Sequence, residues 1–247
     1  MGGGSVITLL TDFGTTDSYV AEVKAVLLRH APGAVLVDVT HELPPGDIQA
    51  AQVTLGRAWH RFPTGTVHLC VVDPGVGGAR AALALRARGH AFVGPDNGVF
   101  TELLQGARIV TLPIPPEASA TFHGRDVFAP AAAALATGTP LTALGTSAEP
   151  RERRPLPQPR REGPVTVGEV LLVDRFGNLL TNLPASSGSV TVGERTIGPV
   201  RRTFADVAPG APVAYVGSAD TIEVAVRDGS AALQLGAARG TVVRVAG

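Results

Sequence analysis

The sequence predicts an α/β domain followed by a smaller all-β domain, and three observations support this fold class. Up to about residue 148, near-continuous apolar runs alternate with segments of helical periodicity. Residues 147–164 are rich in proline and arginine and contain few apolar residues. Beyond them the apolar runs are short, rich in β-branched residues and separated by glycine turns. We therefore expect a three-layer N-terminal domain with a mostly parallel sheet, and a small C-terminal barrel-like domain.

The N-terminal domain shows strand and helix signals in alternation. Helical spacing of apolar residues predicts helices, the first capped by the Thr/Asp/Ser cluster at 15–18 and the second by Asp47. Pro130 is expected in the first turn of the last helix or at a kink in it. The predicted strands are 5–10, 34–39, 66–72, 81–87, 90–94 and 108–112, and the predicted helices are 18–30, 47–62, 98–104 and 126–138.

The C-terminal part contains the alternating runs "VTVGEVLLV", "APVAYVG" and "GTVVRVA", which are typical of short antiparallel strands. The intervening proline- and arginine-rich stretch favours a solvated connection. The expected organisation is therefore an α/β domain over residues 1–148, a linker over 149–163 and a β-barrel domain over 164–247.

Composition excludes several classes of protein. The formal net charge is zero, so no basic surface for nucleic acid or an anionic membrane is indicated. No apolar run approaches a membrane span, and the N-terminus lacks the pattern of a signal peptide. Cys70 is the single cysteine, which argues against disulfides and cysteine metal cages and favours a reducing cytoplasm.

Four of the predicted N-terminal strands end in carboxylates, which lie at the end of the strand or directly after it. If those strands are parallel, their carboxyl ends meet at one edge of the sheet, where open α/β sheets bind their ligands. Each acid taken alone could equally be a turn or helix cap. The four residues are Asp12, Asp38, Asp73 and Asp96.

Three further segments combine polar groups with features that allow close approach. In "VVDPGVGGAR" (71–80), a buried strand ends at Asp73, and a glycine-rich turn leads to Arg80. In "TFHGRDVFAP" (121–130), His123 stands just before a helix. In "VDRFGNLLTN" (173–182), an aromatic ring and an amide occupy a turn that could also be a plain hairpin.

Several familiar chemistries have no motif here. The chain has no dinucleotide fingerprint, phosphate-binding loop, nucleophile elbow or zinc motif. Asp38 with His41 could contact a metal, but a single pair of this kind is a weak signal.

Taken together, "TDFGTTDSYV", "DPGVGGAR", "GPDNG", "FHGRD" and "DRFGN…TN" resemble, in this order, the S-adenosyl-L-methionine (SAM) hydroxide adenosyltransferase family. This family is related to the fluorinase and chlorinase halogenases. The resemblance covers nearly the whole chain. It implies a homotrimer with its sites at subunit interfaces, and hydrolysis of SAM to adenosine and L-methionine by attack of water or hydroxide on C5′, with no metal and no cofactor.

The resemblance also implies roles for individual residues of the first domain. Asp73, Arg80 and His123 match the set that holds the attacking water, and Asp12 matches a ribose-binding acid. These residue types suit the chemistry. Arg80 is permanently cationic and stabilises negative charge on the water oxygen, whereas Asp73 accepts a hydrogen bond from it. His123 can accept the proton or complete the cage around the water.

The implied contacts to the rest of the substrate lie largely in the second domain. Asp17 and Asp174 match positions that hold methionine. Asn178 matches an adenine contact, with Phe176 and Phe204 as walls of the pocket. The second-domain positions assigned to substrate binding are Asp174, Phe176, Asn178, Phe204, Ser218 and Arg227.

Two alternatives remain open on the sequence. A halogenase of the same superfamily is disfavoured, because an anionic Asp73 beside the nucleophile would repel a halide. A non-catalytic sensor of adenosine or SAM could use a similar pocket.

Gly46 departs from the halogenase pattern, which has a tryptophan against the ribose, so that wall must come from elsewhere.

Overall fold

The computed structural model describes residues 4–247 and divides the chain into two compact units. The division falls after Pro155, inside the segment 149–163 that the sequence assigns to a linker. The start of that segment is bound to the first unit, since the backbone of Arg154 is hydrogen-bonded to Gln52 and Thr101. Its end forms a short strand of the second unit, Arg160–Glu162.

The first unit contains a seven-stranded sheet with helices on both faces, which confirms the predicted α/β class. The strands lie in the order β2-β1-β3-β5-β4-β6-β7. The sheet is mixed: the pairs from β2 to β5 are parallel, and those from β5 to β7 are antiparallel. The strands are β1 (Val6–Thr11), β2 (Val35–Thr40), β3 (Val67–Val71), β4 (Ala82–Ala87), β5 (His90–Pro95), β6 (Arg108–Leu112) and β7 (Thr146–Ser147).

Three α-helices of this unit are α1 (Tyr19–His30), α2 (Ile48–Ala58) and α3 (Ala129–Ala136). A π-helical turn (Gly124–Phe128) leads into α3, and Pro130 lies in the first turn of that helix. Short 3₁₀ turns form at Trp59–Arg61, Thr101–Leu103 and Leu141–Ala143, so the helices predicted at 47–62 and 98–104 are shorter than expected.

Only one of the two predicted helix caps forms. The Asp47 side chain accepts a hydrogen bond from the amide of Ala50 at 3.0 Å, as predicted for an N-cap. The predicted side-chain cap of α1 was wrong. Ser18 occupies the cap position, but its backbone is already helical (φ −76°, ψ −10°) and its hydroxyl accepts no hydrogen bond from the helix amides. The hydroxyl donates to the carboxylate of Glu22 instead.

Side chains alternate between the two faces of the central strands. On one face, Ile7, Leu9 and Leu69 pack with buried residues of α1 and α3. On the other face, Phe92 lies 6.1 Å from the ring of Trp59. Cys70, in β3, is fully buried, and burial raises the pKa of its thiol. Because side chains pack on both faces of the sheet, the first unit has three layers, with the sheet between two layers of helices.

A polar chain crosses the sheet inside this core. His68 Nδ1 lies 2.8 Å from the Thr8 hydroxyl, and His68 Nε2 lies 3.1 Å from His90 Nδ1. Both rings are almost completely buried. Burial, with a smaller contribution from His90, lowers the pKa of His68 to about 3. Both imidazoles are therefore neutral in the folded protein at neutral pH.

This buried pair predicts a loss of stability in mild acid. The unfolded chain takes up a proton at His68 near the ordinary pKa of 6.5, whereas the folded chain does not, so stability is complete above that pH and falls below it. We expect the free energy of unfolding to fall between pH 7 and pH 5 by about 2 kcal/mol less in His68→Gln than in the unmodified protein. Urea denaturation at the two pH values measures this difference, and equal decreases in both proteins would contradict the assignment.

The second unit is an eight-stranded antiparallel sheet that curls into the expected barrel-like form. Its interior is aliphatic, with Val170, Leu179, Leu183 and Ile222 fully buried. A short helix, α4 (Ala231–Leu235), was not predicted. The strands are β8 (Arg160–Glu162), β9 (Val165–Val173), β10 (Leu179–Pro184), β11 (Ser189–Val192), β12 (Arg195–Pro199), β13 (Pro212–Val216), β14 (Thr221–Val226) and β15 (Val242–Ala246).

Residues 4–247 contain no helix that is both long enough and apolar enough to span a membrane.

Candidate active site

Two of the four strand-end acids meet at one cavity. Asp12 follows β1 and Asp73 follows β3, and these strands are parallel neighbours, so both acids emerge at the same edge of the sheet. They line a cavity of about 400 Å³ together with His123. The sequence prediction of a ligand site at this edge therefore corresponds to a real concavity.

The other two acids have partners elsewhere. Asp38 binds Lys24 Nζ at 2.6 Å and His41 Nε2 at 3.1 Å. Asp96 accepts hydrogen bonds from the backbone amides of Arg151 and Glu152. All four acids lie towards the same edge of the sheet, since β2, β1, β3 and β5 are parallel neighbours, but only Asp12 and Asp73 line the cavity. Within the described residues 4–247, no group of three histidine, cysteine or acidic side chains could hold a metal ion.

Asp73, Arg80 and His123 form one hydrogen-bonded cluster. Arg80 Nε donates to Asp73 Oδ1 at 2.9 Å, and Arg80 Nη2 donates to Asp73 Oδ2. Arg80 Nη2 also lies 2.9 Å from His123 Nδ1. The side chains of Asp73 and Arg80 are only 5% and 9% exposed. The structure thus brings together the three residues that the resemblance assigns to the attacking water.

The hydrogen bond to Arg80 fixes the protonation state of His123. A guanidinium has donors and no acceptor, so Nδ1 of His123 must accept and cannot carry a proton. Burial lowers the pKa of His123, and the charge of Arg80 lowers it further. The neutral ring therefore carries its proton on Nε2.

The glycine-rich turn between Asp73 and Arg80 is needed for a close approach of two backbones. Gly77 has a φ of +74°, and a Cβ atom placed there would lie 2.4 Å from the carbonyl oxygen of Ala120. Any side chain would push the turn away from the segment that carries His123. The turn thereby allows Arg80 to reach both partners.

Asp12 is anchored from the loop between β2 and α2. Its carboxylate accepts a hydrogen bond from the amide of Gly46 at 2.7 Å. Burial raises the pKa of Asp12 despite this hydrogen bond, and the nearby charge of Asp73 contributes to the increase. Two acids thus share one cavity, and a carboxyl group whose pKa is shifted inside a cleft is typical of a functional site.

The walls of the cavity include aromatic residues that the sequence motifs did not single out. Phe13 and Phe122 line it, and their ring centroids lie 5.8 Å apart. A Cβ atom at Gly124 would lie 3.0 Å from the Phe13 ring, so a larger residue at this position would displace the ring. Phe13 belongs to the motif "TDFG" and Phe122 to the motif "FHGRD", so the motifs contained these residues although the sequence analysis assigned them no role. Phe13, Phe122 and Gly46 thus line the same cavity, in which the two rings provide aromatic surface.

Asp17 belongs to the first unit and does not line this cavity, whereas Asp174 belongs to a hairpin of the second unit. Asp17 is exposed. Asp174 is occupied within its own hairpin, where its carboxylate accepts from the amides of Phe176 and Asn178 and from the side-chain nitrogen of Asn178, each at 2.9 Å. Phe176 is 75% exposed at the tip of the turn. The backbone of this segment is therefore a plain hairpin, and its turn carries the exposed ring of Phe176.

The remaining predicted residues lie in the second unit. Phe204 is partly exposed, and its ring centroid lies 4.8 Å from that of Tyr215. Arg227 donates to the carbonyl of Val207 at 2.8 Å. Ser218 lies in the connection between β13 and β14.

This combination of an α/β unit, an Asp–Arg–His cluster and an antiparallel barrel agrees with the resemblance of the sequence motifs to the SAM hydroxide adenosyltransferase family. The model of the N-terminal domain of that family matches residues 7–145, and the model of its C-terminal domain matches residues 168–244. The chain belongs to this family.

Individual relatives agree with that assignment. A protein of Thermus thermophilus named "(R)-S-adenosyl-L-methionine hydrolase" is 49% identical over 97% of this chain and 98% of its own length. A protein of an Actinoplanes species named "Fluorinase" is 31% identical over 73% of this chain and 72% of its own. A crystal structure of an uncharacterized conserved protein from Thermotoga maritima superposes with a TM-score of 0.90 at 35% identity, covering 98% of this chain and 100% of that one.

Proposed function

We propose that this protein is an enzyme that hydrolyses SAM to adenosine and L-methionine. One observation carries the proposal: the Asp73–Arg80–His123 cluster lies at a cavity on the ligand-binding edge of the sheet, in a chain 49% identical to a named (R)-S-adenosyl-L-methionine hydrolase. The reaction needs an oxygen nucleophile held in line with the bond to be broken. Such a nucleophile is what this cluster is suited to hold.

The chemistry needs few catalytic groups. The oxygen of water forms a bond to C5′ of the ribose while the bond from C5′ to the sulfonium sulfur breaks. Sulfur keeps the electron pair and leaves as the neutral thioether of methionine, so no acid is required for the leaving group. The water loses one proton, which passes to solvent. The main requirement is to favour hydroxide character on the attacking oxygen.

The cluster divides this task among its members. Arg80 supplies a permanent positive charge that stabilises developing hydroxide, and Asp73 accepts a hydrogen bond that orients the water. Because His123 Nδ1 already accepts from Arg80, His123 offers the water its Nε2 proton and completes the cage. Of the two roles considered for this histidine, the geometry supports orientation over proton acceptance.

The resemblance of the sequence motifs to those of the family supports the following contacts to the substrate. Asp12 binds the ribose hydroxyls between the aromatic walls, and Asp17 and Asp174 hold the methionine end. Asn178, Phe176 and Phe204 bind the adenine, with Ser218 and Arg227 nearby. The exposed ring of Phe176 supports a role in which a neighbouring subunit covers it, as in a homotrimer with sites between subunits. The enzyme acts in the cytoplasm without a cofactor, nucleic acid or membrane partner.

Halogenation is the second candidate, because fluorinases are among the relatives. The carboxylate of Asp73 argues against it. An anionic group 4 Å from a bound halide raises its energy by about 4 kcal/mol at an effective dielectric of 20, before any compensation by Arg80. A neutral water molecule does not meet this repulsion when it binds.

The test is product analysis in isotopically labelled water. We expect the purified protein to convert SAM into equal amounts of adenosine and methionine, with ¹⁸O from H₂¹⁸O in the 5′-hydroxyl of adenosine. Mass spectrometry with and without added chloride or fluoride measures this. A 5′-halogenated nucleoside would instead support a halogenase, and SAM binding without any product would support a sensor. The Asp73→Asn variant, prepared in parallel, controls for contaminating activity.

A further inference from the structure

The Arg80 guanidinium lies over a buried aromatic ring. The Cζ atom of Arg80 lies 5.3 Å from the ring centroid of Phe128. Phe128 is fully buried in the core of the first unit. A cation held over an aromatic face away from water is attracted by the ring quadrupole, more strongly than at an exposed site. Phe128 therefore contributes to the hydrophobic core and also attracts the guanidinium of Arg80.

The helical turn that carries Phe128 has an unusual geometry. Residues Gly124–Phe128 form a π-turn, and the amide of Ala129 bonds the carbonyl of Gly124 five residues earlier. In this geometry residues five apart lie about one turn apart. His123 and Phe128 are five apart, and both contact Arg80. An α-helical turn would rotate one of them away, because α-helical neighbours are three or four residues apart.

The two kinds of contact constrain the guanidinium in different ways. Asp73 and His123 bind it in its plane, through Nε and Nη2. The Phe128 ring packs against the carbon at the centre of the guanidinium and opposes its movement away from these two partners. Without the ring, the guanidinium could move and lose the contact with Nδ1 of His123.

We propose that Phe128 is a positioning residue: the π-turn presents its ring to Arg80 so that one guanidinium is held against both Asp73 and His123. The proposal rests on the proposed hydrolase function for its kinetic consequence. Its structural consequence concerns the free protein and needs no substrate.

Paired variants test the kinetic consequence. We expect Phe128→Leu, which keeps an apolar side chain but removes the ring, to lower kcat for SAM hydrolysis by about tenfold with KM changed by less than about twofold. Phe128→Tyr keeps the ring and should retain most of kcat. The control is Phe92→Leu, which makes the same change at a fully buried phenylalanine that stacks on His68 instead. An equal loss of kcat in Phe92→Leu, or in Phe128→Tyr, would overturn the proposal.

An NMR titration tests the structural consequence without turnover. The charge of Arg80 helps to lower the pKa of His123, so a displaced guanidinium should let that pKa rise. Asp73 and Asp126, the other charged groups acting on His123, are unchanged in these variants. We expect the His123 pKa to rise by about 0.5 or more in Phe128→Leu and not in Phe92→Leu. An unchanged His123 titration in Phe128→Leu would refute the positioning role, whereas absent SAM turnover in the unmodified protein would refute only the hydrolase assignment.

Discussion

Replacing Asp73 with asparagine is expected to lower kcat by about 10²-fold or more while SAM still binds. Asparagine keeps the size of the side chain but loses the charge that pairs with both donors of Arg80. The lost interaction acts on the water in the transition state, so the rate falls more than the affinity. Single-turnover kinetics combined with calorimetric binding of SAM measure the two quantities separately.

The matched control is Asp38→Asn, which removes the charge of an equivalent strand-end acid. Asp38 pairs with Lys24 and His41 and does not line the cavity. We expect its kcat to stay within about threefold of the unmodified protein. A parallel loss of SAM affinity and rate in Asp73→Asn would count against a role in orienting the water and favour a role in binding.

The second large effect concerns stability. A Cβ atom at Gly94, in β5, would lie 2.2 Å from the carbonyl oxygen of Cys70 in the neighbouring strand and 3.0 Å from the Phe100 ring. Backbone in the centre of a sheet cannot move aside without breaking its ladder. We expect Gly94→Ala to lower the free energy of unfolding by about 3 kcal/mol or more, measured by urea denaturation.

Gly56→Ala provides the control for this prediction. Gly56 lies inside α2 and is exposed, and a methyl group added there would have no neighbouring atom within 4 Å outside its own helix turn. Alanine is the better helix former, so this variant should be more stable by about 0.5–1 kcal/mol. A Gly94→Ala protein within about 1 kcal/mol of the unmodified chain would show that β3 and β5 can separate, contrary to their close contact in the structure.

Features governed by local sequence were predicted best. Asp47 caps α2 because its own backbone position places its oxygen beside the next turn. Ser18 did not cap α1, because its backbone is helical and lacks the extended conformation from which a capping side chain reaches the amides of the first turn. The direction of the strands was harder to predict. β4 and β5 are joined by a tight turn at Arg88, whose φ of +53° reverses the chain, and this makes half of the sheet antiparallel.

The site was predicted through the spacing of several motifs and not through any single residue. Each strand-end acid looked alike in the sequence, yet only Asp12 and Asp73 face the cavity. Distinguishing them needed the strand order, which places β1 beside β3. The π-turn at Gly124–Phe128 could not be predicted from the sequence. Its residue Phe128 contacts Arg80, which lies far away in the chain, and no local sequence pattern indicates such a contact.

The sealed position of Cys70 has a practical consequence. It is the only sulfhydryl of the chain, it is fully buried, and a thiol must ionise before it reacts with maleimides or oxidants. The folded protein therefore presents no native group to a sulfhydryl-directed dye. A cysteine introduced at an exposed loop position such as Ser187 would take up a fluorophore or spin label at a single site, without prior removal of any native residue.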